Sequence, residues 1–196
     1  MNAFVVAFAG HSGAGKSTLI KELSSLTGDV NVLRIDDYDS SSYPPAVKWI
    51  ENGANPNEFQ TPQFFSDILA LKNGKSILHP DTNQKVEPAR FLFIEEPFGR
   101  SREGISELID FSIYVDIPLE IALARRLLRM SNLISQGNSD ITIEEHLQWY
   151  LRVGRNFYIA VERGARKNCD LIVDGLLSTD EMAKIINKTL KTKLQS

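Results

Sequence analysis

The stretch Ala9-Gly10-His11-Ser12-Gly13-Ala14-Gly15-Lys16-Ser17-Thr18 constrains this chain more than any other, because it completes the phosphate-binding pattern G-x-x-x-x-G-K-[ST]. Glycines let the backbone curl tightly and turn its N–H groups inward. Lys16 then adds a positive charge at the β- and γ-phosphates, and Ser17 supplies a hydroxyl for Mg²⁺. The flanks agree: Phe4 to Ala9 reads as a buried strand, and Ser17 to Leu26 as a helix whose N-terminus faces the phosphates. At ordinary residue frequencies such a match arises by chance on the order of one time in a hundred. The strand and helix around it make coincidence rarer.

With 196 residues the chain has room for one domain with a sizeable core, so a single domain over residues 1–196 is expected. A net charge of −3 and a pI near 5.7 provide no basic face for nucleic acid, and point to a small-molecule partner. Cys169 is the sole cysteine, which excludes an internal disulfide and a cysteine-based zinc site. No apolar run reaches membrane-spanning length, and the first strand lacks the features of a signal peptide. A cytoplasmic protein with no membrane partner is therefore expected.

Further along, Val30 to Ile35 reads as a second strand ending in Asp36-Asp37-Tyr38-Asp39. In a parallel sheet, strand ends on the phosphate-loop side line the ligand crevice. A carboxylate there can accept a proton from an attacking hydroxyl or hold water around Mg²⁺, and the alternative is a solvated turn. Ala46 to Ile50 is expected as a short helix, and Thr61-Pro62 as the N-cap and first position of another, with a stripe of Phe64, Phe65, Ile68, Leu69 and Leu71 on the acceptor side. Two short extended pieces, Ser76 to Leu78 and Lys85 to Glu87, suggest a hairpin standing off the main sheet.

Arg90 to Ile94 is apolar enough for a central strand and ends at Glu95-Glu96-Pro97. An acidic strand end of this kind can hold Mg²⁺ through its water shell, or it can be an ordinary polar exit. Phe111 to Val115 makes a fourth strand. Pro118 opens a helix on which Arg125, Arg126 and Arg129 share roughly one face, either as a cationic lid over a transferring phosphoryl group or as a solvated helix end. Asn132 to Thr142 reads as a loop able to move, and Ile143 to Arg163 as one long helix with Leu147, Tyr150, Leu151, Phe157, Tyr158 and Val161 mostly in the core. Asp170 to Val173 and Thr179 to Leu190 close the chain as strand and helix. The alternation gives an α/β sandwich around a parallel sheet. None of the three histidines has metal-ligand spacing to an acidic partner, so no protein-bound transition metal is expected.

The order of these landmarks resembles the uridine kinase and phosphoribulokinase family of P-loop kinases, which includes nicotinamide riboside kinases. The resemblance runs nearly end to end through Gly10 to Thr18, Asp36-Asp37-Tyr38, Asn73 to Ile77 leading to Pro80, Phe93-Ile94-Glu95, Val115-Asp116 before the arginine-rich helix, and Cys169 to Val173. It implies a three-layer P-loop NTPase sandwich with a small acceptor-side hairpin and a helical lid over about residues 125–142. It also implies ATP and Mg²⁺, with Gly10, His11, Ser12, Gly13, Ala14, Gly15, Lys16, Ser17 and Thr18 around the nucleotide and Ser17, Asp36 and Glu95 around the metal, partly through water. Asp36, Lys16, Arg125, Arg126 and Arg129 would carry catalysis. Two positions depart from the family: Thr82 and Asn83 stand where uridine kinases carry a tyrosine and an aspartate, and Glu96-Pro97 follow Glu95 where glycine is usual.

An ATP-dependent kinase acting on a hydroxyl of a nucleoside or other ribosyl compound is the leading expectation. A nucleotide-binding switch or regulatory module without transfer is the alternative. A GTPase is the weaker form of that alternative, since Asn187-Lys188-Thr189-Leu190 lacks the aspartate of a guanine-reading N-K-x-D. The oligomeric state, a homo-oligomer included, is left open by the sequence.

Overall fold

In the computed structural model, which describes residues 2–137 and 141–195, apolar segments form strands wherever both faces can be buried. Strands β1 (Phe4–Ala9), β2 (Val30–Arg34), β5 (Phe91–Glu95), β6 (Phe111–Asp116) and β7 (Leu171–Asp174) make a wholly parallel sheet in the order β2-β5-β1-β6-β7. The pair β3 (Ile77–Leu78) and β4 (Lys85–Val86) forms a separate antiparallel hairpin, as the sequence suggests.

Because successive side chains alternate across a strand, the sheet feeds two cores. Val6, Phe8, Phe93 and Ile113 point to one face, where they meet Leu19, Ile20 and Leu23 of α1 (Lys16–Thr27) and Met182, Ile186 and Leu190 of α8 (Thr179–Gln195). Val5, Ala7, Leu92 and Ile94 point to the other. There they pack on Phe64, Ile68 and Leu71 of α3 (Pro62–Lys72) and on Ile105 and Leu108 of a short α4 (Ile105–Leu108). The result is a three-layer α/β sandwich.

The parallel register fixes where the chain's polar ends fall. Phe8 pairs with Glu95, and Arg34 pairs with Glu95 from the other side, so the phosphate loop after β1, the acidic turn after β2 and the end of β5 share one sheet edge. This edge is the crevice of a parallel α/β sheet.

Several local expectations are revised. Asn132 to Ser135 belong to α5 (Leu119–Ser135) rather than to a loop, and Asn138, Ser139 and Asp140 lie outside the described residues. The long helix after them is interrupted. α6 (Ile143–Trp149) passes through a π turn (Tyr150–Gly154) into α7 (Arg155–Lys167), and Leu151, expected in the core, is 81% exposed on that turn. Gly154 permits the arrangement, since a Cβ there would lie 2.4 Å from the Trp149 ring.

Thr61 occupies the N-cap position of α3 but does not cap it with its side chain. Its Oγ1 accepts instead from Arg102 Nη1 at 2.9 Å, and the same nitrogen donates to the Phe59 carbonyl at 2.6 Å. Arg102 Nη2 completes a buried ion pair with Glu96, whose other oxygen accepts from Phe98 N at 3.2 Å. Glu96 is thus a structural carboxylate. It ties the 59–61 segment to the end of the central strand. Removing the cation strands a buried negative charge, so Arg102→Ala is expected to cost about 3–5 kcal/mol in urea unfolding. Arg102→Ala with Glu96→Ala should cost less than the two single losses added together.

Candidate active site

Between β1 and α1 the backbone curls with Gly10, Gly13 and Gly15 at φ of 129°, 89° and 92°. Ala14 N closes the loop on the His11 carbonyl at 3.1 Å. At Gly13 the conformation also meets a close neighbour: a Cβ would sit 2.4 Å from the Ala122 carbonyl oxygen, so α5 touches the loop directly. The α1 N-terminus carries no side-chain cap, which leaves its first N–H groups for an anion.

Lys16 is buried, with Nζ 3.3 Å from the His11 carbonyl and 3.4 Å from Glu95 Oε1. Burial draws its ammonium below the ordinary value, and the Glu95 carboxylate opposes that shift. Ser17 Oγ donates to Glu95 Oε2 at 2.8 Å, so one carboxylate holds both the Lys16 and the Ser17 side chains in place. His11 is almost wholly buried, and desolvation lowers its pKa, with Lys16 and Arg126 adding to the effect. Burial thus favours the neutral ring.

Asp36 stands on the short 3₁₀ turn Ile35–Asp37 beside this cluster. More than a third of the residue is exposed, yet its carboxyl sits far enough into the cleft for partial desolvation to raise its pKa. The Glu95 charge adds to the rise and Lys16 opposes it. Asp37 turns to the hairpin, 3.7 Å from His79 Nε2, and Asp39 accepts from Ser41 N and Oγ, both at 2.8 Å. Of the acidic run, therefore, Asp36 alone borders the cavity. A hydroxyl and two carboxylates are all-oxygen ligands and fit Mg²⁺. Among the described residues no three acidic, His or Cys side chains gather as a metal cage, which suits an ion that takes its other ligands from phosphates and water.

These groups open into a cavity of about 540 Å³. At the phosphate end Arg125, Arg126 and Arg129 come together with the loop, as their helical spacing implies, but in different settings. Arg126 is buried and donates to the Ser12 carbonyl; Arg129 Nη2 lies 3.5 Å from Ser12 Oγ; Arg125 Nη2 donates to the Gly175 carbonyl at 3.2 Å. The cavity is also walled by Tyr43, Phe59, Phe98, Phe157 and Val161. Phe59 is the centre of that wall, with ring centroids 5.0 Å from Tyr43 and 4.8 Å from Phe98. Sequence reasoning missed this wall, and Phe157 and Val161 were expected only as core. The hairpin contributes no lining residue.

Comparison with known proteins supports the same reading. The model of the phosphoribulokinase/uridine kinase family matches residues 5–180. A uridine kinase of Borrelia duttonii is 26% identical over 199 residues, covering 96% of this chain and 94% of its own. A uridine kinase of Chlamydia pneumoniae is 26% identical over 210 residues, covering 100% and 92%. A solved structure of a possible uridine kinase from Bacillus stearothermophilus shares the fold with a TM-score of 0.57 at 16% identity, covering 89% of this chain and 90% of that one.

The ammonium of Lys16 is buried beside Ser17 at the phosphate loop. Lys16→Ala is expected to weaken binding of Mg-ATP by about ten- to a hundredfold in calorimetry, the worth of a charge-assisted contact, with the fold intact by circular dichroism.

Proposed function

The chain belongs to the phosphoribulokinase/uridine kinase family, a family of small-molecule kinases with alcohol acceptors, and from that premise we propose that it transfers the γ-phosphate of ATP to a hydroxyl of a nucleoside or related ribosyl compound. One observation carries the reading: Glu95 accepts from Ser17 and pairs with Lys16 at a strand end next to that of Asp36, and all four line one cavity together with a group of aromatic side chains.

Lys16 and the loop N–H groups bind the β- and γ-phosphates. Ser17, with Glu95 and Asp36 through water, would hold Mg²⁺, which would supply charge neutralisation. Asp36 takes the proton from the acceptor hydroxyl as its oxygen bonds to the γ-phosphorus. The bond from that phosphorus to the β,γ-bridging oxygen breaks, and ADP leaves with its electron pair. Arg125 and Arg129 border the same end and stabilise the charge that develops on the transferring group. The end of α5 beyond Arg129, up to Ser135, would serve as the lid.

Acceptor recognition falls to the aromatic wall, because the hairpin that carries Thr82 and Asn83 lies outside the cavity lining. Tyr43, Phe59, Phe98 and Phe157 offer ring faces and a single hydroxyl, which suits stacking on a flat base more than reading its edge by hydrogen bonds. A uracil-specific pocket is not required.

The test is ADP release on incubation of the protein with Mg-ATP and a panel of nucleosides, other ribosides, pantothenate and glycerate. If no acceptor is phosphorylated, the non-transferring nucleotide-binding module becomes the better reading. In the active enzyme, Asp36→Asn should lower turnover by about a hundred- to ten-thousandfold while ATP affinity persists, whereas Asp39→Asn, in its local Ser41 turn, should not. The base must be ionised, so kcat/KM should fall at acid pH as the Asp36 carboxylate is protonated. An acid limb that persists unchanged in Asp36→Asn would count against Asp36.

A further inference from the structure

Arg126 differs from its two companions in being held from every side. It is 4% exposed, its guanidinium carbon lies 4.4 Å from the Tyr158 ring centroid and 5.4 Å from that of Tyr150, and its Nη1 donates to the Ser12 carbonyl inside the phosphate loop. Nε and Nη2 are buried with no hydrogen-bond acceptor, so the ring faces carry much of the compensation for the charge.

The helix phase explains how two tyrosines reach one arginine. At about 100° per residue, eight residues of regular α-helix would leave Tyr150 and Tyr158 about 80° apart around the axis. The π turn over Tyr150–Gly154 takes up one extra residue, which reduces their effective separation to about seven and brings them within about 20° of one face. Their rings lie 6.3 Å apart, both against Arg126. Below, the contact of Gly13 with the Ala122 carbonyl seats this part of α5 on the loop.

We infer that Arg126 is a positioning residue that holds the phosphate loop in its binding shape through the Ser12 carbonyl, and that the π turn exists to build its aromatic cradle. The moving part of any lid then begins beyond Arg126. This inference rests on the phosphate-loop reading but not on the identity of the acceptor.

The test compares affinities of Arg126→Lys, Tyr158→Leu and Tyr158→Phe for ADP and AMP by calorimetry, alongside melting temperatures. Lys keeps the charge but loses the planar stack, and Leu removes the ring. Both variants are expected to bind ADP about ten- to a hundredfold more weakly, with melting within a few degrees of wild type. AMP lacks the β-phosphate that the loop grips and should bind all variants alike. The ring alone should suffice, so Tyr158→Phe should restore what Tyr158→Leu loses. ADP bound at wild-type strength by both Arg126→Lys and Tyr158→Leu would overturn the inference, as would an equal loss for ADP and AMP. A mobile arginine acting only during transfer would show the first pattern, with turnover alone reduced. Since neither ligand needs an acceptor, a failed acceptor panel would leave this comparison readable.

Discussion

Everything at the site depends on the parallel pairing of β1 with β5, which sets Phe8 opposite Glu95. From that register one carboxylate reaches both Lys16 and Ser17, although it lies nearly eighty positions away in the chain. Pairing of β2 on the outer side of β5 then brings Asp36 to the same edge. A slip of one residue between β1 and β5 would turn Glu95 toward the opposite face of the sheet. The chemistry is therefore as secure as the ladder, and the ladder is secured by two cores that bury alternate residues of the same strands.

What the sequence made legible was mostly local. The phosphate loop announces itself because its glycines, lysine and serine act through adjacent backbone, and the central strands do so because burial on both faces demands unbroken apolar runs. Glu95 and Asp36 could be read as strand ends with two meanings each, and spatial assembly gave Glu95 its partners. The neighbouring Glu96 looked equivalent in sequence, yet one residue along a strand is the other face, and there Arg102 waits. The aromatic wall was not legible. Tyr43, Phe59, Phe98 and Phe157 come from four separate segments, and each by itself resembles a core residue. The π turn likewise has no local signature beyond Gly154, whose missing side chain makes room for Trp149.

Three arginines on one helix face show how far spacing can carry an argument. It places them together at the phosphate end, and it does not distinguish a cation bordering a cavity from one clasped between rings. Burial separates them: a guanidinium stacked on two tyrosines and bonded to the loop has little freedom to swing, while its exposed neighbours keep theirs.

Helix interruptions of this kind also change how the chain should be lined up with others. A π turn accommodates a surplus residue without rotating the helix beyond it, so Tyr158 and the rest of α7 keep the facing they would have in a shorter, unbroken helix. Written as letters, the surplus would appear as a one-position gap that could be drawn anywhere between Tyr150 and Gly154. In space it has one location, at exposed Leu151 and its neighbours. Matching residues by the direction they face, rather than by position in the string, is what would identify the tyrosine pair or its replacement in a related chain.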